Sequence, residues 1–562
     1  MRKASSFQIA LAIAFRLCTT PLCAQLETTS SSPDTNYTKT HLNAVVVSST
    51  DGKPVPRVLV TSPDRRMATI TDSEGRFSFD LRRTGSQAES HVFSSFPPNP
   101  APAVTTIPVH FVVRSPGYIT GNVTLHLPAI PPTEPEPTLQ LKIVPAAVLT
   151  GHLYPDAGDL PANLSVELRR KQVQNGVATW EPTSTAPVNS RGEFRFANLQ
   201  PSDYKLVAPG SSSFPPLTQP LPDSIRGFRP AFYPNASSLD AATPIHLNSG
   251  ETATANFAYH SATFYSVTIP VAGPTNPAVF DVRMPADIPG LSFTHDGQSA
   301  HAYLPSGDYN IQLTTAPTST ALALVASVHL QVEPKAVRTQ PAAFHPTFEL
   351  PVIIQRESTK PATDTSQTIG PPAVYFGMQA LGSFVGLQTA VLTKPGAITI
   401  QNLFEGLYRV DITTPTNGSY VASATSGTTD LLREPLQVLP GVVPRPIEVV
   451  LRDDPANLTL RVPPNLNQPS ADDSPIFLLC IQLDRTQAQP FPFVVRQNNQ
   501  VPTTTVPPGR YLVLASRQDL MQTIEFRNPD VLRDLLPKGS TITLSPNQKA
   551  DLEVRLMPDG AN

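Results

Sequence analysis

The sequence predicts an all-β protein built as a tandem array of about five β-sandwich domains. Short runs of alternating apolar and polar residues, bounded by Gly, Pro, Asn and Asp, recur along the whole chain, whereas helical periodicity is nearly absent. A turn phrase that ends in tyrosine returns about every 100 residues. The chain has 562 residues, and because one domain takes about 100–200 residues, we expect several domains rather than one large core.

The composition is typical of folded domains separated by many turns. Hydrophobic residues make up 40% of the chain and charged residues 15%, which is enough apolar material to build cores. The 64 prolines are roughly double the average usage of about 5%. The net charge of −3 provides no basic excess that could neutralise phosphates, so we do not expect nucleic-acid binding.

The first 24 residues are predicted to be a signal peptide. Residues 1–3 carry positive charge, residues 9–15 are apolar, and Ala24 supplies a small residue for cleavage. Arg16 ends the apolar run well short of the roughly 20 residues that a bilayer span needs, and we expect no membrane span in the mature chain. Residues 25–40 are rich in Ser and Thr and are predicted to be a disordered linker. We therefore expect an exported protein that is periplasmic, on the cell surface or extracellular.

Removal of that peptide would leave Cys480 as the single cysteine, because Cys18 and Cys23 lie within it. One thiol cannot form an internal disulfide, so burial of apolar cores must hold the domains together. Cys480 lies in the apolar run 476–481, and we interpret it as a small buried hydrophobe rather than a nucleophile. Whether Cys23 is lipidated stays open.

The first predicted domain spans residues 41–145 and opens with a hairpin. Residues 42–47 form the first strand, Asp51 and Gly52 supply a tight turn, and residues 57–61 return.

A second turn and strand follow in the same domain at residues 72–81. Phe77, Phe79 and Leu81 alternate along this strand, so they point to one face and are predicted to lie in the core. A long insertion rich in Ser and Pro then occupies residues 82–108. It is either a tolerated surface excursion, which we favour, or a recognition loop.

The turn-and-strand phrase returns at residues 189–199, and a second turn and strand follow at 200–206. The second half of the phrase ends in Tyr204, Tyr309, Tyr408 and Tyr511. We predict that each tyrosine closes the edge of a core and that its hydroxyl caps a backbone group. The repeat predicts further β-sandwich domains over residues 146–260, 261–345, 346–452 and 453–562.

The turn-Gly-x-Phe-x-Phe phrase, together with residues 51–56 and 115–118, resembles the carboxypeptidase regulatory-like domain. Members of that family are small transthyretin-like sandwiches, which implies Ig-like or prealbumin-like domains here. The longer pattern, including residues 232–235 and 244–251, resembles secreted multi-domain proteins of Acidobacteria. The resemblance covers the framework and no active site. Because the wider fold group includes starch-binding modules, it implies carbohydrate binding by analogy.

Catalytic signatures are missing from the sequence, and we expect no enzyme activity, no metal and no cofactor. No histidine is followed by Glu three positions later, and neither Gly-x-Ser-x-Gly nor Gly-x-x-x-x-Gly-Lys occurs. His295 and His301 form the closest pair of interest but lack metal-ligand spacing. A hydrolase whose acids come from distant positions is a less favoured alternative.

Three aromatic residues are candidates for carbohydrate binding, because a pyranose needs a flat exposed ring against its apolar face. Trp180 is the single tryptophan and follows a turn at residues 175–176, while Tyr154 and Tyr233 are weaker candidates. The competing interpretation, which we favour for Trp180, places the ring in the core.

We expect a non-catalytic binding protein whose partner is a polysaccharide or a cell-envelope protein. The alternative is a structural spacer or an envelope assembly component. Proline clusters such as residues 128–137 predict stiff connectors and therefore an elongated array.

Overall fold

The computed structural model describes residues 37–63, 65–84, 106–128, 139–212, 222–272, 280–284, 288–318, 321–359, 374–381, 387–394, 397–414, 418–439, 441–462, 476–495 and 503–557. The predicted signal peptide, residues 85–105 of the predicted insertion and residues 129–137 of the first proline cluster lie outside these described residues. The prediction of an all-β fold is confirmed, since strands account for nearly all regular structure in the described part of the chain. The strands form five successive groups.

The first group consists of β1 (Tyr37–Ser48), β2 (Leu59–Thr61), β3 (Ala68–Ile70), β4 (Arg76–Thr84), β5 (Thr106–Arg114), β6 (Gly121–Pro128) and β7 (Leu139–Ile143). Two sheets with the orders β4-β1-β7 and β3-β2-β5-β6 form the group. Phe77 and Phe79 are buried as predicted and contact Phe111, at ring-centroid distances of 6.0 and 5.5 Å.

Two predictions for this group are wrong. Residues 57–61 do not return beside β1, because β2 pairs with β3 and β5 in the other sheet. Pro54 and Pro56 carry no backbone N–H, so pairing with β1 ends after one bridge between Val47 and Pro54. The disordered linker does not extend to residue 40, because β1 begins at Tyr37 and pairs there with the end of β4.

The second and third groups follow along the chain. Their strands are β8 (Ala147–Pro155), β9 (Ser165–Gln174), β10 (Val177–Pro187), β11 (Glu193–Leu199), β12 (Ser202–Ala208), β13 (Ser211–Ser212), β14 (Ser224–Phe228), β15 (Ala231–Phe232), β16 (Ile245–Leu247), β17 (Thr252–Thr254), β18 (Phe257–Tyr259), β19 (Ser261–Ala272), β20 (Phe280–Arg283), β21 (Thr294–His295), β22 (Ser299–Pro305), β23 (Gly307–Thr315), β24 (Leu324–Val332), β25 (Val337–Arg338), β26 (Ala342–Ala343) and β27 (His345–Pro346).

The second group has sheets β10-β9-β12-β15, with β16 also on β12, and β11-β8-β17, with β18 also on β8. The third group has sheets β13-β14-β19-β22-β21, with β25 and β26 also on β19, and β20-β23-β24-β27. Each pair of sheets encloses its own apolar core. Alternating inward residues from both sheets fill these cores, as expected for sandwiches.

The fourth group consists of β28 (Phe348–Glu357), β29 (Tyr375–Leu381), β30 (Leu387–Lys394), β31 (Ala397–Leu403), β32 (Gly406–Thr413), β33 (Tyr420–Ser426), β34 (Thr429–Asp430), β35 (Leu436–Val438) and β36 (Ile447–Arg452). They form one folded sheet in the order β34-β33-β36-β28-β31-β30-β29-β32-β35. This sheet wraps around a single core.

The fifth group consists of β37 (Ala456–Arg461), β38 (Ile476–Gln482), β39 (Phe491–Val495), β40 (Thr504–Val506), β41 (Gly509–Ser516), β42 (Ser540–Leu544) and β43 (Lys549–Glu553). Its sheets are β40-β37-β43 and β39-β38-β41-β42. Between β41 and β42 lies α1 (Pro529–Leu535), which the sequence analysis did not predict. Only a short stretch of sequence marks this helix. The Asn528 side chain accepts a hydrogen bond from the backbone N–H of Asp530, and Pro529 lies in the first turn.

One pairing scheme repeats in all five groups. A central strand pairs antiparallel with one neighbour and parallel with a late strand of the group. These central strands are β1, β8, β19, β28 and β37. The repeat seen in the sequence therefore corresponds to a repeated sheet topology.

The four repeated tyrosines confirm their predicted structural role. Each hydroxyl donates to the backbone carbonyl four residues earlier, at 2.7, 2.8, 3.0 and 2.6 Å in chain order: Tyr204, Tyr309, Tyr408 and Tyr511. Burial raises the pKa of Tyr309 and of Tyr408 to about 12. The bond fixes the corner at which the chain enters the strand that carries the tyrosine, as in the tyrosine corner of other sandwiches.

Candidate functional site

The outward face of β8 carries one of the aromatic residues considered for sugar binding. Alternation along β8 directs Leu149 and Leu153 into the core, where both are fully buried, and places His152 and Tyr154 on the opposite face. Tyr154 keeps 51% of its surface exposed. Its register partner on β18 is Ala258, whose methyl group is too short to cover a ring. The phenol ring is therefore accessible from solvent.

The imidazole of His152 supports this ring. The two ring centroids are 4.0 Å apart and the planes are inclined by 27°, which is a stacked arrangement. Nδ1 of His152 is buried and has no hydrogen-bond partner among the described residues. Stacking on His152 restricts the orientations open to Tyr154, and a restricted ring loses less entropy when a ligand binds.

A fixed carboxylate lies beside His152. Glu193 on β11 is its register partner, and Oε2 of Glu193 accepts hydrogen bonds from Asn189 Nδ2 at 2.7 Å and from Arg191 Nη2 at 3.0 Å. The bond from Asn189, followed by the charge of Arg191, lowers the pKa of Glu193. Glu193 is thus an ionised, oriented acceptor at neutral pH.

A second carboxylate follows Tyr154 along the chain. Oδ1 of Asp156 accepts a hydrogen bond from the backbone N–H of Ser261 at 2.8 Å, and Oδ2 lies 3.2 Å from Nδ1 of His260. The Ser261 bond is the main cause that lowers the pKa of Asp156. Polar side chains therefore precede and follow the exposed ring along this face.

This arrangement suits a neutral ligand that has both an apolar face and many hydroxyl groups. The ring of Tyr154 offers a flat apolar surface, while the carboxylates and imidazoles offer acceptors and donors for hydroxyls. The sequence analysis missed His152, Asp156, Glu193 and His260. The alternation His152-x-Tyr154-x-Asp156 was the available signal for the first two, whereas Glu193 lies on the neighbouring strand β11 and His260 lies between β18 and β19.

The other two candidate aromatics lie elsewhere. Trp180 is half-buried on β10, in the sheet opposite to that of β8, and Lys205 Nζ lies 4.6 Å from its ring centroid. Tyr233 is half-buried and packs edge-on against Phe257, with ring centroids 6.3 Å apart. The structure therefore does not bring Tyr154, Trp180 and Tyr233 together on one surface.

His295 and His301, the pair considered in the sequence, contact different residues. His301 bonds to Asp296 Oδ2 at 3.1 Å and to Thr268 Oγ1 at 3.3 Å, whereas the ring of His295 contacts that of Phe280 at a centroid distance of 4.7 Å, with the planes tilted by 38°. Within the described residues, no group of three or more His, Cys, Asp or Glu side chains could hold a metal ion. Cys480 is fully buried as predicted, and burial raises the pKa of its thiol to about 12.

A second region of the same group contacts distant parts of the chain. The hairpin of β9 and β10 turns at Asn175 and Gly176, which have φ values of 50° and 74°. Gly176 is buried against Phe526 of the fifth group, and a Cβ added there would lie 2.5 Å from that ring. The backbone carbonyl of Asn175 accepts hydrogen bonds from Arg527 Nε at 2.6 Å and from Arg409 Nη1 at 3.3 Å.

Arg527 links three groups at this point. Its side chain is only 4% exposed, and Nη2 lies 3.3 Å from Asp411 Oδ1 of the fourth group. Nη1 donates to the carbonyls of Thr486 and Gln487. Burial and the nearby charge of Arg409 lower the pKa of Arg527 to about 10. We call the contact set of Asn175, Gly176, Arg409, Phe526 and Arg527 the junction.

Further contacts join the fifth group to the fourth group and to the second group. Arg485 donates to the carbonyls of Val421 at 2.5 Å and Ala422 at 3.0 Å. Lys171 on β9 pairs with Glu525 at 2.7 Å. The second, fourth and fifth groups are thus packed together, and the prediction of an elongated array is wrong for these three groups. The elongated array was predicted from the proline content of the connectors. That content does not reveal contacts between residues as distant in sequence as 175 and 527.

Comparisons with known proteins identify no family. No family model and no curated protein matches the chain, so the resemblance to carboxypeptidase regulatory-like domains stays a prediction. Among solved structures, the TIE protein of Bacillus anthracis aligns over 73% of this chain and 73% of its own, at 13% identity and a TM-score of 0.14.

Two pilus proteins align as well. The minor pilin of Streptococcus agalactiae aligns over 42% of this chain and 98% of its own, at 13% identity and a TM-score of 0.17. The full-length pilus protein of Streptococcus pneumoniae aligns over 74% and 98%, at 9% identity and a TM-score of 0.13. TM-scores this low add nothing to the fold assignment made from strand pairing above. No helix among the described residues is long and apolar enough to cross a bilayer.

Proposed function

We propose that the chain is an exported, non-catalytic protein of five β-sandwich domains that binds carbohydrate through the outward face of β8. The domain bounds are those predicted from the sequence, except that β13 and β14 pair with the third domain. The single observation that carries this proposal is the exposure of Tyr154 on a rigid sheet beside His152. Rigid elements place binding groups more accurately than loops do. The partner is a polysaccharide of the cell envelope or of its surroundings.

The surroundings of Tyr154 favour carbohydrate over other ligands. Sugars present an apolar face next to hydroxyl groups, which matches the Tyr154 ring with Glu193 opposite its stacking partner His152 and Asp156 two residues further along the chain. Both carboxylates are held by hydrogen bonds within the protein, so little ordering is needed when a hydroxyl binds. The net charge near zero agrees with a neutral partner.

The test is retention on polysaccharides. Purified protein is incubated with a panel of soluble and insoluble polysaccharides, and both bound protein and released sugar are measured. We expect retention without release, lost in Tyr154→Ala. Tyr375→Ala is the matched control, because Tyr375 is 65% exposed but lies on β29 of the fourth group. Trp180→Ala is tested beside them, since the half-buried indole is the competing platform.

Each other outcome has a definite meaning. Release of sugar would favour the hydrolase alternative, and loss of retention in Trp180→Ala alone would move the site to β10. Retention by no polysaccharide would contradict carbohydrate binding at Tyr154.

A second candidate function is a structural spacer or an envelope assembly component. The junction favours it, because buried arginines hold three groups together in one arrangement. Both functions are compatible in one exported protein, since the junction and Tyr154 belong to different sheets of the second group.

A further inference from the structure

A cleft of about 890 Å³ lies between the third and fourth groups, away from Tyr154. One wall is the outward surface of β23 and β24, including Gln312 and Ser327. The other wall is the end of the nine-stranded sheet at β32 and β35, including Leu407 and Leu439. Its volume lies in the range of about 300–1,000 Å³ that is usual for ligand sites.

A side-chain amide on the first wall has no hydrogen-bond partner among the described residues. Gln312 is only 4% exposed and lines the cleft, yet its side chain forms no hydrogen bond with any described residue. Its register partner Ser327 donates to Glu405 at 3.0 Å instead. The amide atoms of Gln312 are not among the fully buried, unpartnered atoms of the described residues, so they open into the cleft, where a ligand with both a donor and an acceptor can bond to them.

The second wall presents an open strand edge. β35 ends the nine-stranded sheet and pairs, in the part of the chain that the structure describes, with β32 alone. Residues 437–439 line the cleft beside this edge. Unpaired backbone groups on an edge strand are a template for another extended chain.

The remaining lining determines which chain fits. Leu407 and Leu439 are 38% and 47% exposed, which provides contact for aliphatic side chains. The described lining residues include no Lys or Arg, and the carboxylate of Glu405 already bonds to Ser327 and to His345, whose Nε2 is 3.2 Å away. None of the described residues that line the cleft is Trp, Tyr or Phe, so they offer a sugar no aromatic platform.

We propose that this cleft binds an extended, uncharged segment of another polypeptide, which pairs with the free edge of β35 and places an aliphatic side chain against Leu407 and Leu439. A peptide group of the segment supplies both the donor and the acceptor that Gln312 lacks. This site is separate from Tyr154 and does not depend on carbohydrate binding.

The test uses the full chain and a library of fluorescently labelled, end-blocked peptides that alternate Val or Leu with Ser or Thr. We expect a subset to bind, as measured by anisotropy, and Gln312→Leu to weaken binding about tenfold through loss of one buried hydrogen-bonding group. N-methylation of the peptide backbone removes edge pairing and is expected to abolish binding. Gln331→Leu is the matched control, because Gln331 is exposed on β24 but does not line the cleft.

Several results would overturn the proposal. These are binding of no peptide, unchanged affinity in a folded Gln312→Leu, binding that survives N-methylation, or displacement of the peptide by a soluble glucan. If Gln312→Leu does not fold, Leu439→Ser takes its place, because Leu439 is half-exposed; we expect a severalfold loss of affinity, and no loss would refute the site.

Discussion

The two regions of the second group that bear on function differ in what covers them. Tyr154 on β8 is half-exposed and stacks on His152 of its own group, whereas Gly176 at the tip of the β9–β10 hairpin is buried against Phe526 of the fifth group. Both belong to one sandwich. The difference shows that one domain can be anchored through one sheet and present the other sheet to a ligand.

The exposure of Tyr154 has a local cause, whereas the burial of Gly176 depends on residues far along the chain. Tyr154 is exposed because β8 alternates, which is a property of neighbouring residues. Gly176 is buried because Phe526, far along the chain, packs against it, while Arg527 bonds to the carbonyl of Asn175. Four changes test this contrast, in order of decreasing effect.

The largest effect is expected for Arg527→Ala. The change leaves Asp411 and the carbonyl of Asn175 without their strongest donor inside a buried contact, so the free energy of unfolding should fall by about 3 kcal/mol. Urea unfolding measures it. Arg533→Ala is the control, because Arg533 is 69% exposed on α1 and should cost no more than about 1 kcal/mol. Equal effects of the two changes would contradict a stabilising junction.

The next effect is expected for Gly176→Ala. The added Cβ would lie 2.5 Å from the ring of Phe526, so we expect a loss of about 2 kcal/mol and displacement of the hairpin, seen as a larger radius of gyration in X-ray scattering. Gly158→Ala is the control, because Gly158 has φ 76° and nothing within 4 Å of an added Cβ. Gly158→Ala should therefore lower the free energy of unfolding only by the cost of a side chain at positive φ, about 1 kcal/mol. An unchanged radius in Gly176→Ala would refute the packing of the three groups.

A smaller effect distinguishes a buried tyrosine from the exposed one. Tyr204→Phe removes the hydroxyl bond to Gln200 and should cost about 1 kcal/mol of stability without changing polysaccharide retention. Tyr154→Phe keeps the ring and should leave stability and retention nearly unchanged. Thermal unfolding and retention are measured on both, and a loss of retention in Tyr204→Phe alone would place the ligand elsewhere.

The smallest effect concerns pH. The folded pKa of Asp156 is lowered, mainly by the Ser261 N–H, so its contribution to stability is present above about pH 4 and is lost as the pH falls through the lowered folded value. Asp156→Asn should therefore flatten the acid dependence of the melting temperature slightly. A steeper dependence in that variant would contradict the sign.

Much of the fold could be predicted from the sequence, because its signals are local. The tyrosines of the repeat, Phe77 and Phe79 occupy the predicted positions, since turn residues and alternation act over a few residues. The hairpin at residues 57–61 failed because the prolines that end its pairing act on backbone donors, which alternation does not reveal.

The candidate site was predictable in part. Tyr154 was identified, but Glu193 is brought to this face by strand pairing and His260 by its contact with Asp156. The burial of Gly176 and the amide of Gln312 depend on contacts between groups, and no local pattern in the sequence encodes them.

The most direct test of an anchored domain with a free binding face is polysaccharide retention by wild type, Tyr154→Ala and Gly176→Ala in parallel. We predict that Tyr154→Ala loses retention while Gly176→Ala keeps it, although its junction is disturbed. Retention that survives in Tyr154→Ala and disappears in Gly176→Ala would contradict the account and place the ligand at the junction.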